Sequence, residues 1–165
     1  MGRLNPTLRY SIKLDRQSNF SALKQGKPIT FTLQGPSYKG LLLYAEDFDG
    51  NRLHGFTATQ HTQILKGCPG TTLSHKDAKY KMGENFTWKP PKGVKGVIFR
   101  AVLVKDTQSG FQVLKPLAIG DLKLLKQKSS PKVKPKNTST INQHQHPLPN
   151  KCKYWRIRAS FFSID

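Results

Sequence analysis

The chain has 165 residues, 28 Lys and Arg against 9 Asp and Glu, and a formal net charge of +19. That length suits one domain with a real core rather than two, and a hydrophobic fraction of 36% leaves part of the chain unpacked. No apolar run reaches the length of a membrane span and the first ten residues lack a signal-peptide core, so a soluble protein is expected, its charge calling for a polyanionic partner.

Leu8 to Leu14 alternates apolar and polar side chains and reads as a strand. Phe20 to Pro28 reads as a turn leading into a second strand, Ile29 to Gln34, which is rich in β-branched and aromatic residues. Gly35-Pro36 ends it. Leu41 to Glu46 is the near-continuous apolar run of a buried strand, Asp49-Gly50-Asn51 is a turn, and Gly55 to Thr59 is the expected return strand. Thr71 to His75 and Asn85 to Lys89 are short strands, the second with Phe86 and Trp88 facing one way as core residues. Pro90-Pro91-Lys92-Gly93 forbids continuation. Val97 to Val104 is a strong strand, and Phe111 to Leu114 completes a hairpin with it. Some eight or nine short strands at this spacing, with no convincing helix, predict an all-β antiparallel sandwich.

Composition changes at Asp121. From Leu122 to Arg158 the basic residues are Lys123, Lys126, Lys128, Lys132, Lys134, Lys136, Lys151, Lys153, Arg156 and Arg158, with no acidic residue among them. Lys126 to Asn150 is rich in Lys, Ser, Pro, Gln and His, the composition of an extended, partly flexible loop. Order is expected to return in Tyr154 to Ile164, where Trp155, Ile157, Ala159 and Phe161 share one face and Tyr154, Arg156, Arg158 and Ser160 the other. The expected organisation is thus a sandwich over 1–121, a basic loop over 122–150 and a terminal strand over 151–165 docking on the sandwich.

Lys126, Lys128, Lys132, Lys134, Lys136, Lys151, Lys153, Arg156 and Arg158 form the predicted anion-binding strip. Alternate lysines in Pro131-Lys-Val-Lys-Pro-Lys keep their ammonium groups accessible, and the arginines suit bidentate sulfate or phosphate contacts. A merely solvated linker is the plainer alternative. Lys76, Lys79 and Lys81, with Lys89, Lys92 and Lys95 nearby in sequence, form a second candidate patch. Asn19, Asn85 and Asn137 head Asn-x-Ser/Thr sequons, a mild pointer to secretion.

Other chemistry is weakly supported. Glu46, Asp47 and Asp49 read as a solvated turn rather than a Ca²⁺ loop, and His144 with His146 lacks a third metal ligand. No nucleophile elbow, phosphate-cradling glycine loop or zinc motif is present, so neither an enzyme nor a cofactor is expected. Sulfated glycans and anionic microbial polymers lead as partners. Nucleic acid or an acidic protein remains open, although base readout would want an inserted helix or a stacking platform.

The segments SYKGLLLYAEDFDGNRLHGFTA and CPGTTLSHKDAKYKMGENFTWKPPKGVKGVIFRAVLVKD together resemble the reeler (reelin amino-terminal) domain. The matching positions include Tyr38, Gly40, Leu42, Ala45, Asp47, Gly55, Phe56, Cys68, Thr72, His75, Phe86, Thr87, Trp88, Pro90, Pro91, Val97, Phe99, Arg100 and Ala101, in the family's order. The resemblance implies an extracellular immunoglobulin-like β-sandwich that binds rather than catalyses, with His75 structural. A stand-alone chain of this size looks most like the family's small secreted invertebrate defence proteins. In relatives the cysteine matching Cys68 commonly pairs near the amino terminus, where this chain has none. Pairing of Cys68 with Cys152 is therefore expected, two free thiols in a reducing compartment being the alternative.

Overall fold

The structure, a computed structural model, describes residues 2–68 and 70–121. Its elements are a 3₁₀ turn (Pro6–Leu8), β1 (Ser11–Leu14), α1 (Phe20–Lys24), β2 (Ile29–Gln34), β3 (Gly40–Glu46), β4 (Arg52–Leu53), β5 (Thr62–Ile64), β6 (Thr72–His75), β7 (Asn85–Trp88), β8 (Gly96–Asp106), β9 (Gly110–Val113) and β10 (Leu117–Gly120). A three-stranded antiparallel sheet runs β1-β2-β7. A seven-stranded one runs β10-β8-β3-β6-β5, with β4 also on β3 and β9 also on β8. This is the expected β-sandwich.

Alternation decides which side chains are sandwiched. Phe31 of β2 and Phe86 and Trp88 of β7 project inward from the small sheet, while Leu41, Leu43, Ala45, Val97, Phe99, Ala101 and Leu103 project inward from the large one. Phe99 is the meeting point: its ring lies 4.9 Å from that of Phe31 and 5.3 Å from Trp88, the latter edge-to-face at 85°. Such offset and perpendicular pairings place ring edges against ring faces, adding to the area they bury. Trp88 and Phe86 are wholly inaccessible, as their alternation in sequence required.

Several elements depart from the sequence reading. Phe20–Lys24 is a helix rather than a turn. The Asn19 side chain accepts from the Ala22 amide at 3.0 Å, and Ala22 and Leu23 are buried. Five residues are too few to show helical periodicity, but the Asn cap was in the sequence. Replacing Asn19 with Ala should cost about 1 kcal/mol of stability by denaturant titration, while Asn19→Asp should retain most of it. The return from β3 is Arg52–Leu53 rather than Gly55–Thr59. Phe56 instead makes an isolated bridge to Trp88, carrying the chain across to the small sheet. Thr62–Ile64 and Leu117–Gly120 are additional strands.

A polar network closes the far side of the core. Tyr38 donates to the Glu84 carboxylate at 2.8 Å, and the Thr59 hydroxyl donates to the same group. Tyr10 donates to the Ser37 carbonyl at 2.8 Å and packs edge-on against Tyr38. Burial, then the Asp106 and Tyr80 charges, pushes the Tyr10 phenol up to about 12; burial, then the bond to Glu84, raises Tyr38 further. Both phenols hold their protons more tightly folded than unfolded. Their contribution is therefore complete below the ordinary value of 10.0 and is lost as pH rises through the folded values. Of the five tyrosines, two should resist ionisation in an absorbance titration at 295 nm until well above pH 10, with unfolding setting in as they titrate.

Candidate anion-binding surface

The strand register fixes where the basic side chains can act. Along β3, Gly40 pairs with Val104 and Glu46 with Ile98, so the two ends of the large sheet lie about 20 Å apart at the rise of an extended strand. At the Gly40 end, β6 finishes at His75, whose Nδ1 accepts from the Leu41 amide at 3.2 Å, a structural role. Lys76 and Lys79 follow it and are exposed.

Lys89, Lys92 and Lys95 stand at the other end. Lys89 is held there by Gly55, whose carbonyl accepts from the Lys89 amide at 2.9 Å and whose amide donates to the Gly70 carbonyl at 3.1 Å. Gly55 sits at φ +128°, a conformation that suits only glycine, and its missing side chain admits the Lys89 backbone. Lys92 and Lys95 occupy the loop into β8, exposed, next to Gly96. Gly120 pairs with Gly96, so the chain beyond Asp121 leaves from this same end. The second patch read from sequence therefore divides in two, because β7 and β8 carry Lys89 to Lys95 away from the β6 end.

Lys81 belongs to neither group, a correction to the sequence reading. It is 4% exposed, and its ammonium donates to the Asp77 carboxylate at 2.8 Å and to the carbonyls of Asp77 and Lys79 at 2.6 and 2.7 Å. Its backbone bridges Tyr38 in both directions. The Lys81 bond, first, and the Lys79 amide hold the Asp77 carboxyl below its ordinary value. Lys81 is a clasp for the 77–81 loop. A lysine in a basic run looks solvent-facing in sequence, and the only hint otherwise was the Asp four residues before it.

The Asp47 carboxylate is taken up by its own turn, accepting from the amides of Asp49 and Asn51 at 2.8 Å each and from the Asn51 side chain. Glu46 pairs with Arg100. Among the described residues, no group of three or more His, Cys, Asp and Glu is arranged to hold a metal. Asn19 and Asn85 are exposed, and in each the side-chain oxygen, not the nitrogen that would carry a glycan, makes the hydrogen bond (to the Ala22 amide and the Thr32 hydroxyl). Cys68 is buried in the β5–β6 loop. Lys126, Lys128, Lys132, Lys134, Lys136, Asn137, Lys151, Cys152, Lys153, Arg156 and Arg158 lie outside the described residues, as do the 122–150 loop and the 151–165 strand.

Two groups of cations were not singled out from sequence. Lys66 is exposed beside Cys68, at the end that carries Lys89 to Lys95. Lys13 and Arg16 line an open depression of about 450 Å³ along β1 and β2 with Leu14, Asp15, Gln17, Thr32 and Gln34. The outward phase of Lys13 in LRYSIKL was the available signal.

Fold and surface together define a β-sandwich module with exposed lysines at both ends of its large sheet. The Reeler domain family matches residues 4–116, and the chain belongs to that family. Among solved structures, the Reelin-N domain of F-spondin is similar with a TM-score of 0.58 at 18% identity, covering 73% of this chain and 90% of that one. Two fragments of the human F-spondin reeler domain give TM-scores of 0.54 and 0.55 at 17% and 19% identity, covering 72% and 73% of this chain and 92% of each of theirs. A search of curated proteins gives no significant match. Among the described residues, no helix is long and apolar enough to cross a membrane.

Proposed function

We propose that this chain is a secreted, non-enzymatic interaction module that binds polyanions, either sulfated glycans or anionic microbial polymers, through one end of its sandwich and the basic segment that follows it. The observation that carries the reading is the pairing of Gly120 with Gly96. It starts the basic segment beside Lys95, at the end that also carries Lys66, Lys89 and Lys92. Like charges gathered in this way sum to a positive potential that attracts polyanions and weakens with salt. Secretion is supported by the family and by the exposed sequons at Asn19 and Asn85. In that setting a Cys68–Cys152 bond would stabilise the fold by about 2–4 kcal/mol.

Retention on a heparin column tests the reading. Neutralising Lys132, Lys134, Lys136, Arg156 and Arg158 together should lower the salt needed for elution, and neutralising Lys89, Lys92 and Lys95 should lower it further. Unchanged elution for both sets would sink the proposal. Nucleic acid, which the charge also permits, is separated by competing heparin against DNA at matched charge.

A further inference from the structure

Four large apolar side chains among the described residues are more than half exposed, and two of them, Tyr80 at 56% and Met82 at 74%, belong to the loop between β6 and β7. The residue between them explains why they share a side. Lys81 pairs with Tyr38 through two backbone hydrogen bonds, at 2.8 and 3.0 Å, and both of those side chains turn inward. Extended backbone alternates, so Tyr80 and Met82 are sent outward together. Lys39, beside Tyr38, is sent the same way and sets its ammonium 4.8 Å from the Tyr80 ring centre. Lys76 and Lys79 are exposed on the same loop. The loop's one carboxylate, Asp77, is matched by the Lys81 ammonium at 2.8 Å, which leaves the outward charge positive. Lys81 also holds the Asp77 and Lys79 carbonyls, so the tip is a fixed support.

We propose that this tip docks on an anionic lipid bilayer, with Tyr80 and Met82 entering the interface while Lys39, Lys76 and Lys79 meet the headgroups. Two exposed side chains are too little apolar surface for the core of a protein interface, which buries about 800 Å² on each partner. A bilayer needs no matching pocket. Tyrosine suits its boundary, with an apolar ring and a polar end, and lysines reach acidic headgroups while their stems stay in apolar surroundings. Neither signal anchors a peripheral protein well alone, and this loop combines them. The tip lies at the Gly40 end of the large sheet, so Lys89, Lys92 and Lys95, about 20 Å away, stay available to a soluble polyanion. The inference goes beyond polyanion binding and stands whether or not heparin is retained.

Co-sedimentation of the full-length chain with vesicles of equal parts phosphatidylglycerol and phosphatidylcholine, at physiological salt, tests it. Tyr80→Ser combined with Met82→Ser removes the apolar insert and no charge, and should weaken binding by about tenfold or more. Lys76→Gln and Lys79→Gln should each weaken it by about fivefold. Heparin elution of the double serine variant should be unchanged, and because both positions are exposed its urea midpoint should be too. Tyr80→Trp supplies a second readout: its added emission, measured against the unmodified chain, should be quenched by lipids brominated on the acyl chain. Vesicle binding that survives intact in the double serine variant overturns the proposal, assigning the lipid contact to charge elsewhere and leaving the tip to a protein partner or to solvent. Emission from Tyr80→Trp that brominated lipid fails to quench overturns it as well.

Discussion

Replacing Trp88 with Ala should lower stability by about 3–5 kcal/mol, the usual cost of emptying a large aromatic site. Trp88 is 0% exposed, at the end of β7, where it meets Phe99 from the opposite sheet. Its indole Nε1 also donates to the His54 carbonyl at 3.1 Å, tying the small sheet to the segment that crosses over from β4. Ala would open a cavity between the sheets and leave that carbonyl without its donor. Trp88→Phe should recover most of the packing and lose only about 1 kcal/mol for the missing hydrogen bond. The measurement is the midpoint of urea unfolding, with an unchanged slope showing that the folded state remains compact. A domain of this size has only about 5–15 kcal/mol in all, so Trp88→Ala should leave it near the threshold of unfolding at physiological temperature.

Lys81→Met should cost about 1–2 kcal/mol, the scale for removing a charged donor from part-buried acceptors. Met keeps the packing of the lysine stem but donates nothing to the carbonyls of Asp77 and Lys79. The companion measurement is heparin retention. If Lys81 is a clasp, Lys81→Met should lower stability while leaving the elution salt almost unchanged, whereas substitutions at the exposed Lys92 and Lys95 should do the reverse. A large loss of retention in a stably folded Lys81→Met variant would return Lys81 to the binding surface.

These contrasts show what the sequence could and could not reveal. The strands that carry the core were legible because burial on one face writes a period of two into the chain: Ile29–Gln34 has the expected bounds, and Phe86, Trp88, Val97 and Phe99 all enter the core. The family motif was legible for a related reason. Many of its positions are core or turn residues, such as Gly55, whose backbone no side chain would permit. The short elements were not legible. Helix Phe20–Lys24 and strand Thr62–Ile64 are shorter than the period needed to reveal them, and their places are set by Asn19 capping and by pairing with β6. The basic residues were the hardest to sort, because charge says nothing about direction. Lys81 and Lys79 look alike in sequence, and only the closure of the 77–81 loop turns one inward. Lys76 and Lys95 look like parts of one patch until the register puts the end of β6 and the start of β8 at opposite ends of the sheet.

That separation of about 20 Å along the large sheet has a consequence for how the molecule would read the length of a polymer. Lys76 and Lys79 at one end and Lys89, Lys92 and Lys95 at the other are held apart by a rigid sheet rather than by a flexible tether. An anionic chain long enough to reach both ends would engage the second without a new encounter, gaining avidity. A fragment too short to span them would bind one end alone. Where a polyanion held at the Lys89–Lys95 end also reaches Lys76 and Lys79, affinity should therefore step up at a threshold of ligand length instead of climbing evenly with the number of charges. The sandwich would then act as a ruler.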